Sequence, residues 1–127
     1  MGRREWMDGI MARIELRSIY APAGENEGFV VLVDRIWPRG ISKERAGVDY
    51  WAKSIAPSSE LRLWFGHIPA PFPEFESRYE HELDENPDVP GFLDLLGGHD
   101  RITLVYAAKD ELHNNAVVLS AYLASRV

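Results

Sequence analysis

Phe29-Val30-Val31-Leu32-Val33 runs without interruption into Asp34-Arg35-Ile36-Trp37-Pro38-Arg39-Gly40. Five consecutive apolar residues, three of them β-branched, with no polar alternation read as a strand covered on both faces, which is the condition inside a parallel sheet. The charged residues that follow therefore start at a strand's carboxyl end. The same signature returns in Ile102-Thr103-Leu104-Val105-Tyr106, which passes into Ala107-Ala108-Lys109-Asp110. Upstream, Ile14, Leu16 and Ser18 alternate with Glu15, Arg17 and Ile19. That period of two suits a half-buried strand ending near Tyr20, with residues 22–28 as a polar turn.

Helical spacing fills the interval between the strands. Ser58 follows Pro57 as an N-cap, and Leu61, Trp64 and Phe65 form an apolar stripe that Gly66 closes. Phe72, Phe75, Tyr79 and Leu83 mark a second helix, with Glu74 and Glu76 in the first turn and Pro87 beyond its end. Phe92, Leu93, Leu95 and Leu96 suggest a brief third helix stopping at Gly97-Gly98. A last helix from the cap Asp110 to Ser125 would place Leu112, Ala116, Leu119 and Leu123 on one face. Residues 41–56 stay ambiguous between helix at Lys43 to Ala46 and extended chain at Val48 to Trp51.

Strands separated by helices require crossover connections, so the expected class is α/β: a single compact domain with a small, mostly parallel sheet flanked by helices. The domain is expected over residues 12–127, with residues 1–11 as an N-terminal extension, because no apolar periodicity precedes residue 12. A hydrophobic content of 46% with 27% charged residues is a globular balance. The net charge of -6 argues against a nucleic-acid partner, since most of such a surface repels phosphate backbones. With no cysteine in 127 residues, disulfides, thiolate nucleophiles and cysteine-ligated metals are excluded. No apolar run approaches the roughly 20 residues of a membrane span, and the location expected by default is cytoplasmic.

Ligands of open α/β sheets bind beyond the carboxyl ends of strands, so the chemistry is sought in the two charged segments. Arg35 and Arg39 offer planar forks of donors that suit a phosphate or a carboxylate; equally, Arg35 could pair internally and lock its loop. Trp37 reads as core or pocket wall, and Gly40 supplies either a positive φ or close packing. Lys109 could meet an anion at a helix start or be a solvated charge. Asp110 is either a helix cap or an acid or base. Asn115 shares an apolar helix face and needs a partner, backbone or ligand; Asn114 lies at the surface or in the pocket. Asp34 and His67 complete the candidate acids and bases, with His113 placed on the first turn of the last helix. No histidine or acidic spacing indicates a metal site, and neither a phosphate-binding P-loop nor a Gly-x-Gly-x-x-Gly fingerprint occurs, so no cofactor is expected.

Three stretches taken together, Val33-Asp34-Arg35-Ile36-Trp37-Pro38-Arg39-Gly40, Pro57-Ser58-Ser59-Glu60-Leu61-Arg62 and Leu104-Val105-Tyr106-Ala107-Ala108-Lys109-Asp110, carry a resemblance. The chain resembles the domain of unknown function 488 family from Ile14 to Leu123. The resemblance implies a compact α/β fold with no assigned activity. It also implies that other branches carry cysteine followed by His-Arg where Asn114, Asn115 and Ala116 stand here, so that any thiol chemistry of those relatives is lost. Two functional expectations follow from the residues. One is a domain that binds or acts on a small phosphate- or carboxylate-bearing molecule, with Arg35, Trp37, Arg39, Lys109, Asn114 and Asn115 as ligand contacts and Asp34, His67 or Asp110 as acid or base. The other is a non-catalytic regulatory or scaffold protein that engages a protein partner through residues such as Trp6 or Phe72.

Overall fold

A computed structural model describes residues 14–67 and 71–125. The expected extension at residues 1–11, Trp6 included, lies outside the described residues. Strands β1 (Ile14–Ser18), β2 (Phe29–Leu32), β3 (Tyr50–Trp51) and β4 (Ile102–Tyr106) form one parallel sheet in the order β1-β4-β2-β3. Leu104 of β4 lies between Leu16 of β1 and Val31 of β2, so β4 and β2 are the interior strands. Val31, Leu32, Leu104 and Val105 are fully buried, as their unbroken apolar runs require. Val33 extends the ladder by donating its N–H to Val105 O at 3.0 Å.

The α/β class and the parallel sheet expected from the sequence are thus present, with one strand added. β3 comes from the ambiguous segment, which divides into a helix α1 (Lys43–Ala46) and the short edge strand after it. Among the described residues, a 3-10 turn at Lys53–Ile55 follows β3, and the further α-helices are α2 (Ser59–His67), α3 (Phe72–Glu85), α4 (Val89–Leu96) and α5 (Asn115–Ser125). α2 continues through Gly66 and ends at His67, one residue later than the glycine signal suggested.

The edge strand β1 departs from its expected alternation. Leu16 is 37% exposed, whereas the Arg17 side chain is only 13% exposed. Arg17 is held in an ion pair with Glu27 and also donates to the carbonyls of Ser18 and Ala21, so its charge is satisfied where period-two reasoning would put it outside.

Two apolar layers sandwich the sheet. Val31, Val33, Ile102, Leu104 and Tyr106 pack against α2 to α5, while Val30, Leu32 and Val105 pack on the other side against Trp37, Ile41, Ala46 and Trp51. Burying a side chain such as Leu104 or Val31 contributes about 1.5–3 kcal/mol, which holds the two faces closed. The chain leaving β2 therefore turns to one face, and the chain leaving β4 turns to the opposite face as α5. Adjacent parallel strands whose continuations diverge in this way open a crevice at their carboxyl ends. One glycine fixes the far end of this strand pair: Gly28 has φ +68, and a Cβ there would lie 2.2 Å from Arg101 O. Among the described residues, no helix is long and apolar enough to cross a membrane.

Candidate functional site

The crevice between the ends of β2 and β4 is a cleft of about 490 Å³. Asp34, the first residue past Val33, forms part of its wall. Its Oδ2 accepts the backbone N–H of Ala107 at 2.9 Å, and its Oδ1 accepts the side-chain amide of Asn115 at 2.9 Å. The same amide donates to Val33 O at 2.8 Å. A single carboxylate thus ties together the end of β2, the end of β4 and the start of α5. Burial pushes the Asp34 carboxyl above its ordinary value of 3.8, while the Asn115 and Ala107 donors and the Arg62 charge pull it back.

Arg35 lines the same cleft, but its guanidinium is anchored to backbone: Nε donates to Pro57 O at 2.8 Å and Nη2 to Ala56 O at 3.1 Å. This is the internal bracing that was one of its two open readings, made to carbonyls and not to a carboxylate. Trp37 donates from Nε1 to Ile41 O at 2.6 Å and meets Trp51 edge-on at 5.3 Å, which makes it wall and core together. Gly40 has φ +80 with open space around it, so it serves the turn and not a close approach. Arg39 is exposed at the cleft, and its carbonyl accepts the Tyr20 hydroxyl at 3.1 Å.

At the other wall, the last helix starts four residues later than its sequence pattern suggested, with Asn114 and not Asp110 before its first turn. Asp110 does not cap α5: its Oδ1 accepts the N–H groups of Leu112 and His113 at 2.9 and 3.0 Å, and its Oδ2 lies 3.0 Å from His113 Nδ1. Those bonds fold residues 110–113 into a separate turn, and Leu112, expected on the buried face, is 74% exposed. Asn114 is the cap. Its Oδ1 accepts Val117 N–H at 3.0 Å, its Nδ2 donates to Asp110 O at 2.8 Å, and the residue is buried. The hydrogen bonds to Asp110, those from the Leu112 N–H and the His113 side chain first, hold its carboxyl below the ordinary value.

Asp34, Arg35, Trp37, Arg39, Asn114 and Asn115 therefore share one cleft. Lys109 and Asp110 are exposed and are not among its lining residues. His67 closes α2, and its side chain lies outside the described residues. The cleft also contains residues that sequence reasoning did not single out, chiefly Arg62 and Phe65 of α2 and Phe75 of α3. They are brought there by Ser58, whose Oγ accepts Leu61 N–H at 3.1 Å while its own N–H donates to Glu82 Oε1 at 2.8 Å, clipping the start of α2 to α3. Phe65 and Phe75 stack at 4.2 Å across that junction. His113 faces the cleft as well, with the Phe72 ring edge-on at 5.0 Å.

A family model described as the inactive DUF488-N3 subclade matches residues 13–127. The chain belongs to the DUF488 family. It is 40% identical over 114 residues to the uncharacterized protein Rv3073c of Mycobacterium tuberculosis strain H37Rv, covering 90% of this chain and 96% of that protein. It is 37% identical over 112 residues to the uncharacterized protein YeaO of Escherichia coli strain K12, covering 88% and 97%. No solved structure matches the chain. Among the described residues of this DUF488 protein, the cleft is lined by the arginines Arg35, Arg39 and Arg62 and by the carboxylate of Asp34. None of the three enters an ion pair among the described residues. Among the described residues no group of three or more His, Asp or Glu side chains is arranged to hold a metal ion.

Proposed function

We propose that the cleft is a non-catalytic receptor for an anionic group, a phosphate or a carboxylate. The observation that carries this reading is the charge balance at the strand ends: Arg35, Arg39 and Arg62 line one crevice and none of them enters an ion pair among the described residues, on a chain whose net charge is -6. Guanidinium groups left unpaired in a partly apolar cleft attract an anion more strongly than the same groups in open water. Arg35 is held in place by two carbonyls, so an anion would meet a pre-set charge.

Three features favour binding without chemistry. Asp34 has each oxygen engaged by an N–H donor, from Ala107 and from Asn115, which makes it a brace between β2, β4 and α5. Asn114 caps α5 and Asn115 opens its first turn, where the resemblance puts a cysteine in other DUF488 branches and where a helix start would lower a thiol's pKa; an amide provides no nucleophile. The matching family model is itself described as inactive.

The test is thermal unfolding of the wild type and of Arg62→Ala in sodium phosphate, sulfate, succinate and citrate, each against chloride at matched ionic strength. A ligand that binds only the folded state raises the midpoint with concentration. The reading requires at least one of these anions to raise the wild-type midpoint and Arg62→Ala to lose most of that rise. Equal rises in both proteins, or none in the wild type, contradict it.

A further inference from the structure

Resting on the anion-binding reading, we infer that the cleft is a docking site for an extended segment of a partner protein, in which an acidic residue sits between large apolar side chains. Exposed apolar groups at the mouth lead to this. Tyr20 and Ile36 line the cleft yet are 55% and 53% exposed. They come from two separate segments, following β1 and following β2, so the exposure belongs to the mouth and not to one frayed loop. Exposed apolar groups gathered at a concave site mark interaction surfaces, and Tyr, Trp and Arg are the residue types that dominate interface energetics.

Charge selects the occupant. Arg39 and Arg62 are exposed in the lining and Arg35 is held beside them, while the protein as a whole carries -6. An acidic segment is drawn to this basic mouth, and a basic one gains nothing there and is left facing Asp34 only through its paired oxygens. The inner wall, with Trp37, Phe65 and Phe75, is apolar. A bare inorganic anion would leave that wall against water, whereas apolar side chains flanking a carboxylate would cover it. The walls are also pre-formed: the Tyr20 hydroxyl is fastened to Arg39 O, Trp37 to Ile41 O and Arg35 to Pro57 O, so docking need not order the loop first.

The test is selection of a phage-displayed library of random 12-residue peptides on the full-length protein, followed by fluorescence anisotropy of the enriched peptides with wild type, Arg39→Ala and Ile36→Asp. Both substitutions are at exposed positions, and an unchanged unfolding midpoint confirms that each variant is folded. The inference expects enriched sequences that place Asp or Glu next to large apolar residues, with affinity weakened about tenfold or more by either substitution. Failure to enrich any peptide over an unrelated control protein, enrichment of basic peptides, or unchanged affinity in both variants overturns it. Phosphate-dependent stabilisation that Arg62→Ala abolishes, found together with no peptide enrichment, overturns the docking inference alone; absence of both results overturns the anion-binding reading as well.

Discussion

The Asn115 side-chain amide donates one hydrogen to Asp34 Oδ1 at 2.9 Å and the other to Val33 O at 2.8 Å, closing α5 onto the end of β2 across 81 and 82 positions of sequence. Both donors of one amide are used, and the Ala107 N–H completes the carboxylate from the neighbouring strand. The cleft's shape therefore depends on a three-way junction of polar groups placed where two apolar strands end. Three consequences can be measured.

Asn115→Ala removes two hydrogen bonds and leaves a carboxylate oxygen and a strand carbonyl short of a donor in a partly buried place. The expected loss is about 2–3 kcal/mol. Asp34→Asn is expected to lose about 1–3 kcal/mol despite its near-identical shape, because its amide must point one NH2 at an N–H donor from either Ala107 or Asn115. Chemical denaturation checks both, and a loss below about 0.5 kcal/mol for Asp34→Asn contradicts the junction as described.

The two aspartates at the loop ends should titrate on opposite sides of the ordinary value of 3.8, Asp34 above it through burial and Asp110 below it through its hydrogen bonds. The signs for stability follow by linkage. Folded Asp34 keeps its proton where the unfolded chain has lost it, so its contribution falls as pH rises from the ordinary range through its raised value. Asp110 contributes stability above the ordinary value and loses it as pH falls through its lowered one. Carboxyl-carbon NMR titration gives the order directly, and Asp110 titrating above Asp34 contradicts the assignment.

Arg35 holds the cleft loop to the chain just before α2 through a forked contact with Pro57 O and Ala56 O. Arg35→Ala is expected to cost about 1.5–3 kcal/mol, and Arg35→Lys to recover less than half of it, since an ammonium on a flexible stem cannot reproduce the planar fork. Full recovery by lysine in denaturant unfolding would mean that charge alone, and not the fork, is what the loop uses.

How much of this was legible in the sequence follows from where the information lies. The buried strands β2 and β4 announced themselves, because a run such as Ile102-Thr103-Leu104-Val105-Tyr106 has few alternatives. That a cleft is to be sought at their ends followed from fold-level topology, and Asp34, Arg35, Trp37, Arg39, Asn114 and Asn115 do line one cleft. Lys109 and Asp110 do not, since Asp110 closes a tight turn on Leu112 and His113 that carries both residues away from the crevice. The sequence pattern pointed to Asp110 as the cap; the turn that Asp110 closes on Leu112 and His113 leaves that role to Asn114. Arg62 was hidden for a different reason. It is an exposed residue next to the buried Leu61 on a short helix, and no periodicity tells that α2 lies beside the strand ends until the Ser58–Glu82 clip is seen. Arg17 was misjudged because its partner Glu27 lies in a turn ten residues away, where strand alternation carries no information.

The central claim, an anion site where β2 and β4 end, is tested most directly by titrating inorganic phosphate into the isotopically labelled protein and following backbone amide shifts by NMR. The account predicts saturable shifts concentrated at residues 34–40, at Ala107 and Ala108 and at Asn114 and Asn115, with β3 and the Gly28 end of the sheet unmoved, and loss of those shifts in Arg62→Ala. Shifts that do not saturate, that centre on another surface, or that persist unchanged in Arg62→Ala would contradict it.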